Sequence, residues 1–158
     1  MLIFPAKWGL ANDTSHMKHD TMGYELLEHT GDIGIRVWAD NLKGLFQEAA
    51  RALFDIITDR KKVVARLKRE VAVQGSGKEE LMVAWLNELL YLHEVEELLF
   101  CDFALSKIEQ GSLQGVARGE KFRQGHHHLK TAIKAVTYHL LEVKEQDGRW
   151  QAQIIFDI

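Results

Sequence analysis

The chain has 158 residues, 46% of them hydrophobic and 27% charged, with a formal net charge of -3 and a pI near 6.2. That length suffices for one sizeable core, and the acidic balance argues against a general nucleic-acid binder, which carries a basic excess to neutralise phosphates. A single cysteine, Cys101, excludes an internal disulfide; with no apolar run near the roughly 18 residues of a membrane span and no signal-peptide pattern, a cytoplasmic location is expected.

Residues 1–22 hold the only proline, Pro5, a polar run at 12–16 and methionines at 17 and 22, without periodicity. An N-terminal extension is expected there, poorly ordered or lying on the body, with Met1, Met17 and Met22 as alternative starts. A single domain is expected over 23–158. Residues 24–29 read as a short strand, and 33–39 alternate with period two, Ile33, Ile35, Val37 and Ala39 against Gly34, Arg36 and Trp38. Asp40 and Asn41 offer helix caps. From Leu42 to Ile57 apolar residues recur at helical spacing, an amphipathic helix of about four turns. Residues 63–75 return to strand alternation. Ser76 and Glu79 have capping-box spacing, and the helix they open, to about residue 97, is apolar on more than one stripe. A hairpin over 98–109 and 113–122 turns at Gln110-Gly111-Ser112, and a His-rich loop at 124–128 leads to a second hairpin within 129–158.

The order β-β-α-β-α-β-β-β-β predicts the α+β class: a two-layer sandwich of a mixed or antiparallel β-sheet with the two main helices packed on one face. The terminal hairpin turns at Asp147-Gly148, a dipeptide suited to a turn whose two central residues need positive φ. Uninterrupted pairing from Gln146 opposite Arg149 sets Asp157 opposite Tyr138 and Ile158 opposite Thr137. Trp150, Ala152, Ile154 and Phe156 then form a core face with Leu141 and Val143. Gln151, Gln153 and Asp157 lie on the other, with Tyr138 and, further along, Lys134. A carboxylate is poor strand material. Asp157 reads either as a solvated end or as an acidic group held rigidly for binding, and a second carboxylate beside it would make an oxygen site for a hard divalent cation.

Four further stretches hold chemistry-bearing residues. His126-His127-His128 read as a solvated loop, because adjacent histidines do not easily converge on one ion and no finger-type spacing accompanies them. Cys101 sits in an apolar strand and reads as a small hydrophobe. Gly75-Ser76-Gly77-Lys78 lacks the phosphate-loop pattern. His29-Thr30-Gly31-Asp32 places a histidine and an aspartate at a strand end; a functional loop and an Asx-type turn both remain open.

Four stretches together carry a family resemblance: YELLEHTGDIGI, LKGLFQEAARALFDIITD, ELMVAWLNELLYLHEVEELLF and the ending IKAVTYHLLEVKEQDGRWQAQIIFDI. Across residues 24–158 the chain resembles archease, with Gly31 where the family usually has alanine. The resemblance implies a small cytoplasmic protein, not itself an enzyme, that assists the GTP-dependent RNA-splicing ligase by promoting its guanylylation and multiple turnover in tRNA splicing or RNA repair. RNA would be reached only through that partner, and no membrane is involved. The implied metal site uses Asp32 and Asp157, with Ile158 as a further candidate ligand. The ion is divalent, calcium first, with manganese, magnesium or zinc as alternatives. Lys134 and His29 are the implied partner-directed or functional residues. Two alternatives stand beside this: a chaperone or adaptor for RNA-modifying enzymes such as a tRNA methyltransferase, and a stand-alone metal-dependent hydrolase.

Overall fold

The computed structural model describes residues 21–29 and 31–158. The expected N-terminal extension therefore lies, except for residues 21 and 22, outside the described residues. Met22 already belongs to the first strand. Strands β1 (Met22–His29) and β2 (Asp32–Ala39) form a hairpin, followed by helix α1 (Leu42–Ile57) and a short 3-10 turn at Arg60–Lys62. Strand β3 (Leu67–Gln74), helix α2 (Lys78–Glu96), the hairpin β4 (Leu98–Glu109) and β5 (Ser112–Lys121), then the hairpin β6 (Ala135–Gln146) and β7 (Arg149–Asp157) complete the chain.

The α+β class holds, but the strands divide into two sheets where one was expected. One sheet has four strands in the order β1-β2-β7-β6, the other three in the order β3-β5-β4. Every strand pair is antiparallel. The helices hold the sheets to a common core. α1 packs on β1, β2 and β7 of the first sheet and on β4 of the second, while α2 packs on β6 of the first and on β3, β4 and β5 of the second.

The spacing of apolar residues explains this arrangement. Leu45, Phe46, Ala49, Ala50, Leu53 and Phe54 of α1 are wholly buried, as the single stripe of an amphipathic helix should be. On α2 the buried set includes Leu81, Met82, Val83, Trp85 and Leu86, too dense for one stripe, and the helix accordingly has sheet on more than one side and α1 beside it. Trp85 donates its indole N–H to the Phe46 carbonyl at 2.9 Å, which satisfies a polar group inside an otherwise apolar contact. Phe54 meets Phe100 edge-on with ring centroids 5.5 Å apart. Among the described residues no helix is long and apolar enough to cross a membrane.

Asn41 caps α1 as expected, its Oδ1 accepting from the Gly44 N–H at 2.7 Å. The expected capping box at Ser76 and Glu79 is corrected. Gly77 occupies the cap of α2 and makes no side-chain cap bond. The reciprocal contact comes one residue later, with the Ser76 N–H donating to Glu80 Oε1 at 3.0 Å. Across the β4–β5 hairpin, a register shift between Phe100 and Asp102 brings β4 close to Gly119. A Cβ at that position would collide with the Leu99 carbonyl oxygen, so only glycine fits. Gly119→Ala should therefore lower the unfolding free energy by about 3 kcal/mol, read as a drop in the urea midpoint at unchanged slope.

Candidate metal centre

The site begins with a register. β2 and β7 pair Asp32↔Asp157, Ile33↔Phe156, Ile35↔Ile154 and Val37↔Ala152. Ile35, Val37, Ala152, Ile154 and Phe156 are buried in the main core, and a slip of one residue would turn all of them outward. The core thus dictates that Asp32 and Asp157 stand directly opposite one another. At such positions Cβ atoms lie about 5 Å apart, and like charges there destabilise the pair.

The row continues across the sheet end, with His29 opposite Asp32 on β1 and Ala135 opposite Asp157 on β6. Asp32 is half-buried and Asp157 exposed. Asp32 opens β2 as a strand residue, and Gly31, at φ 83°, carries the reversal before it. The backbone of His29 belongs to this row; its side chain lies outside the described residues. Lys134 reaches the row by its backbone, donating its N–H to the Asp157 carbonyl at 2.7 Å, while its side chain is exposed. Ile158 follows Asp157 and is exposed.

The expected uninterrupted hairpin, with Asp157 opposite Tyr138, is corrected. Asp147 and Gly148 do turn it, at φ 55° and 76°, and Gln146 does pair with Arg149. The ladder then breaks between Thr137 and Glu142, so that residues 138–141 of β6 face Ile154 alone. Leu140 takes a φ of 54°, in the left-handed region. Gln153 Nε2 donates to its carbonyl at 3.0 Å, and Thr137 Oγ1 donates to the Ile155 carbonyl at 3.1 Å. These side chains satisfy backbone acceptors that the broken ladder leaves over. The face shared with Asp157 is also less open than its composition implied, since Gln151, Gln153 and Arg36 are buried there beside Leu27 and Ile155. Arg36 pairs with Glu25 at 3.5 Å.

The Archease protein family matches residues 24–158. The chain belongs to the archease family. It is 43% identical to the Protein archease of Methanopyrus kandleri over 87% of its own length and 100% of that protein. To the Protein archease of Pyrococcus furiosus it is 44% identical, over 85% and 98%. The solution structure of Methanobacterium thermoautotrophicum protein 1598 superposes with a TM-score of 0.74 at 32% identity, covering 86% of this chain and 99% of that one. A crystal structure from Thermotoga maritima, of a protein described as an archease and possible chaperone, superposes at 0.58 with 22% identity, covering 85% and 96%, and shows the common fold. The two aspartates that oppose each other in the row, Asp32 and Asp157, belong to two of the stretches that carried the resemblance to archease.

The His-rich loop of this archease differs from expectation. His126 and His128 are exposed, but His127 is buried. Its Nδ1 accepts from the Arg123 N–H at 3.0 Å, so its Nε2 bears hydrogen and donates to buried Glu120 Oε2 at 2.9 Å. Periodicity could not show this, because the partner belongs to β5 and not to the loop itself. Glu120, His126 and His127 bring ligand atoms within 4.8 Å of one another. Arg66 at 3.0 Å and Arg123 at 3.6 Å already neutralise the carboxylate, however, and both His127 nitrogens are occupied. The group is an ion-pair knot rather than a metal centre. Burial would raise the Glu120 pKa, but hydrogen bonds from the Val64 N–H, His127 and Arg66 outweigh it and bring it down to about 2. Cys101 behaves as expected of a packed thiol, with burial and then Asp102 pushing its pKa up.

Because the Glu120 carboxyl is depressed from 4.5 to about 2, its stabilisation is complete above pH 4.5 and is lost as pH falls from there toward 2. Glu120→Gln should cost roughly 3 kcal/mol at pH 7, with the gap from wild type closing as pH falls through that window in urea titrations. For the aspartate pair, Asp157→Asn in EDTA should match or exceed wild-type stability by up to about 0.5 kcal/mol, since it relieves the cross-strand repulsion. As the test of a cation held by the pair, added calcium should raise the Tm of the wild type and leave that of this variant unchanged.

Proposed function

We propose that this archease acts as a divalent-metal-binding accessory protein of the GTP-dependent RNA-splicing ligase, promoting its guanylylation and repeated turnover without being a ligase itself. The observation that carries the reading is the direct opposition of Asp32 and Asp157 in adjacent strands. Two carboxylates aligned by a buried core, with Ile158 beside them, form an all-oxygen donor set suited to a hard cation, calcium ahead of manganese or magnesium. Zinc, which favours nitrogen and sulfur donors, fits less well. A cation there would cancel the repulsion within the pair and hold the acidic end of the sheet in one geometry. Asp32 and Asp157 hold the ion, and Lys134, tied to the Asp157 carbonyl and exposed, presents a cation at the rim for the partner. His29 closes the same row by its backbone.

The test is purified ligase with RNA ends and GTP, scored for products formed per ligase. Wild-type protein should support several turnovers. Asp32→Ala and Asp157→Ala should each lower stimulation at least about tenfold, with the circular dichroism spectrum unchanged. Full stimulation by either variant would refute the reading. Product formed by this protein alone would point to a stand-alone hydrolase. Co-purification with a tRNA methyltransferase in place of the ligase would point to a chaperone role, the possibility raised for the Thermotoga maritima protein.

A further inference from the structure

A net charge averages over a surface, and here the average conceals a local excess of the opposite sign. The segment leaving α1 and the loop entering β6 are stitched together. Thr58 Oγ1 donates to the His128 carbonyl at 2.6 Å, and the Lys130 N–H donates to the Ile57 carbonyl at 2.7 Å. Between them lies a cavity of about 450 Å³ lined by Lys62, Lys130 and the three histidines, with Thr58 and Asp59. A second cavity of about 450 Å³ shares Thr58, Asp59 and Lys130 with the first and adds Arg60 and Lys61 to the rim. A third recess, of about 400 Å³, holds Arg66, Lys121 and Arg123 around Glu120.

The carboxylates along these recesses are largely spent. Asp55 is held by Arg60 at 2.8 Å, and Glu120 by His127 at 2.9 Å and Arg66 at 3.0 Å. Among the described residues that line them, Asp59 is the carboxylate left to oppose the exposed ammonium groups of Lys61, Lys62, Lys121 and Lys130. Planar rings are interleaved with these cations. His126 and His128 are exposed, and the His126 ring is steadied edge-on against buried His127, centroids 4.5 Å apart at 77°.

We propose that this cleft binds the sugar-phosphate backbone of single-stranded RNA, with Lys62 and Lys130 on phosphates and the His126 and His128 rings as stacking platforms. Cations alone would suit any polyanion. Rings set between them suit bases, and that combination is the usual surface for unpaired strands. The choice of RNA rests on the function proposed above, and it replaces the expectation that RNA is reached only through the partner.

The experiment is fluorescence anisotropy of a labelled twelve-nucleotide RNA with the full-length protein across a salt series. At about 0.7 per neutralised phosphate, the four lysines give a slope of roughly -2 to -3 in log affinity against log salt. Lys62→Glu with Lys130→Glu should weaken binding at least about tenfold. The corresponding double alanine variant should weaken it less and covers the case in which charge reversal impairs folding. His126→Ala should weaken binding several-fold at unchanged slope. Asp32→Ala, which removes a negative charge beside Ile33 on the rim of the second cavity, should not weaken RNA binding, so that a failed cleft and a failed metal site give different results. No binding by the wild type, indifference to the double alanine variant, or equal displacement by a poly-glutamate peptide would overturn the proposal, the last in favour of an acidic protein partner.

Discussion

The antiparallel pairing of β2 with β7 is the contact on which the rest depends. It joins residues 32–39 to residues 150–157, so the sheet closes only when the last strand reaches the first hairpin. That long-range closure carries a large chain-entropy cost, which burial of Ile35, Val37, Ala152, Ile154 and Phe156 under α1 offsets. Because the pairing is cemented by core residues, the polar groups at its end have no freedom to choose their neighbours. Asp32 faces Asp157 as a by-product of hydrophobic register. A site built this way is rigid before anything binds to it, and rigidity of the donors is what a metal or a partner protein gains from a sheet rather than a loop.

The second sheet serves a different purpose. Its inner face completes the core around Phe54, Phe100, Phe103 and Trp85. Its ends carry the irregular segments where charge accumulates. Glu120 sits at that margin as a buried carboxylate surrounded by donors, and it ties the segment of Val64 and Arg66 and the loop of His127 to β5. The margins of the two sheets thus use electrostatics in opposite ways. One holds two carboxylates opposite each other, and the other neutralises a carboxylate completely.

What could be read from the chain beforehand follows the range of the interactions concerned. α1, capped by Asn41, and the turns at Gly111 and Asp147-Gly148 rest on local chemistry, and their positions were legible. The capping box was off by one residue because Ser76, Gly77 and Glu80 share a turn whose cap depends on how Gly75 packs against it. The division into two sheets was not legible, since strand alternation says which face is buried and nothing about which strands meet. The break in β6 was hidden for a related reason. No glycine or proline marks residues 138–141, and its stabilising bonds come from Thr137 and from Gln153 on another strand. Asp157 stands out as a carboxylate closing an apolar strand and Asp32 as one of two open readings of its loop; family resemblance joins them into one site, and their direct opposition follows from the pairing of β2 with β7.

The break in β6 also acts as a phase boundary. On its far side the ladder is counted from the Asp147-Gly148 turn; on its near side it is counted from Ala135 and Asp157. The two counts are independent, joined only by the slack in residues 138–141. A residue gained or lost near the turn can be absorbed in that slack without moving Ala135 or Lys134 relative to Asp157. The hairpin tip is therefore free to drift in length and composition over evolutionary time, while the alignment at the acidic end of the sheet is insulated from it.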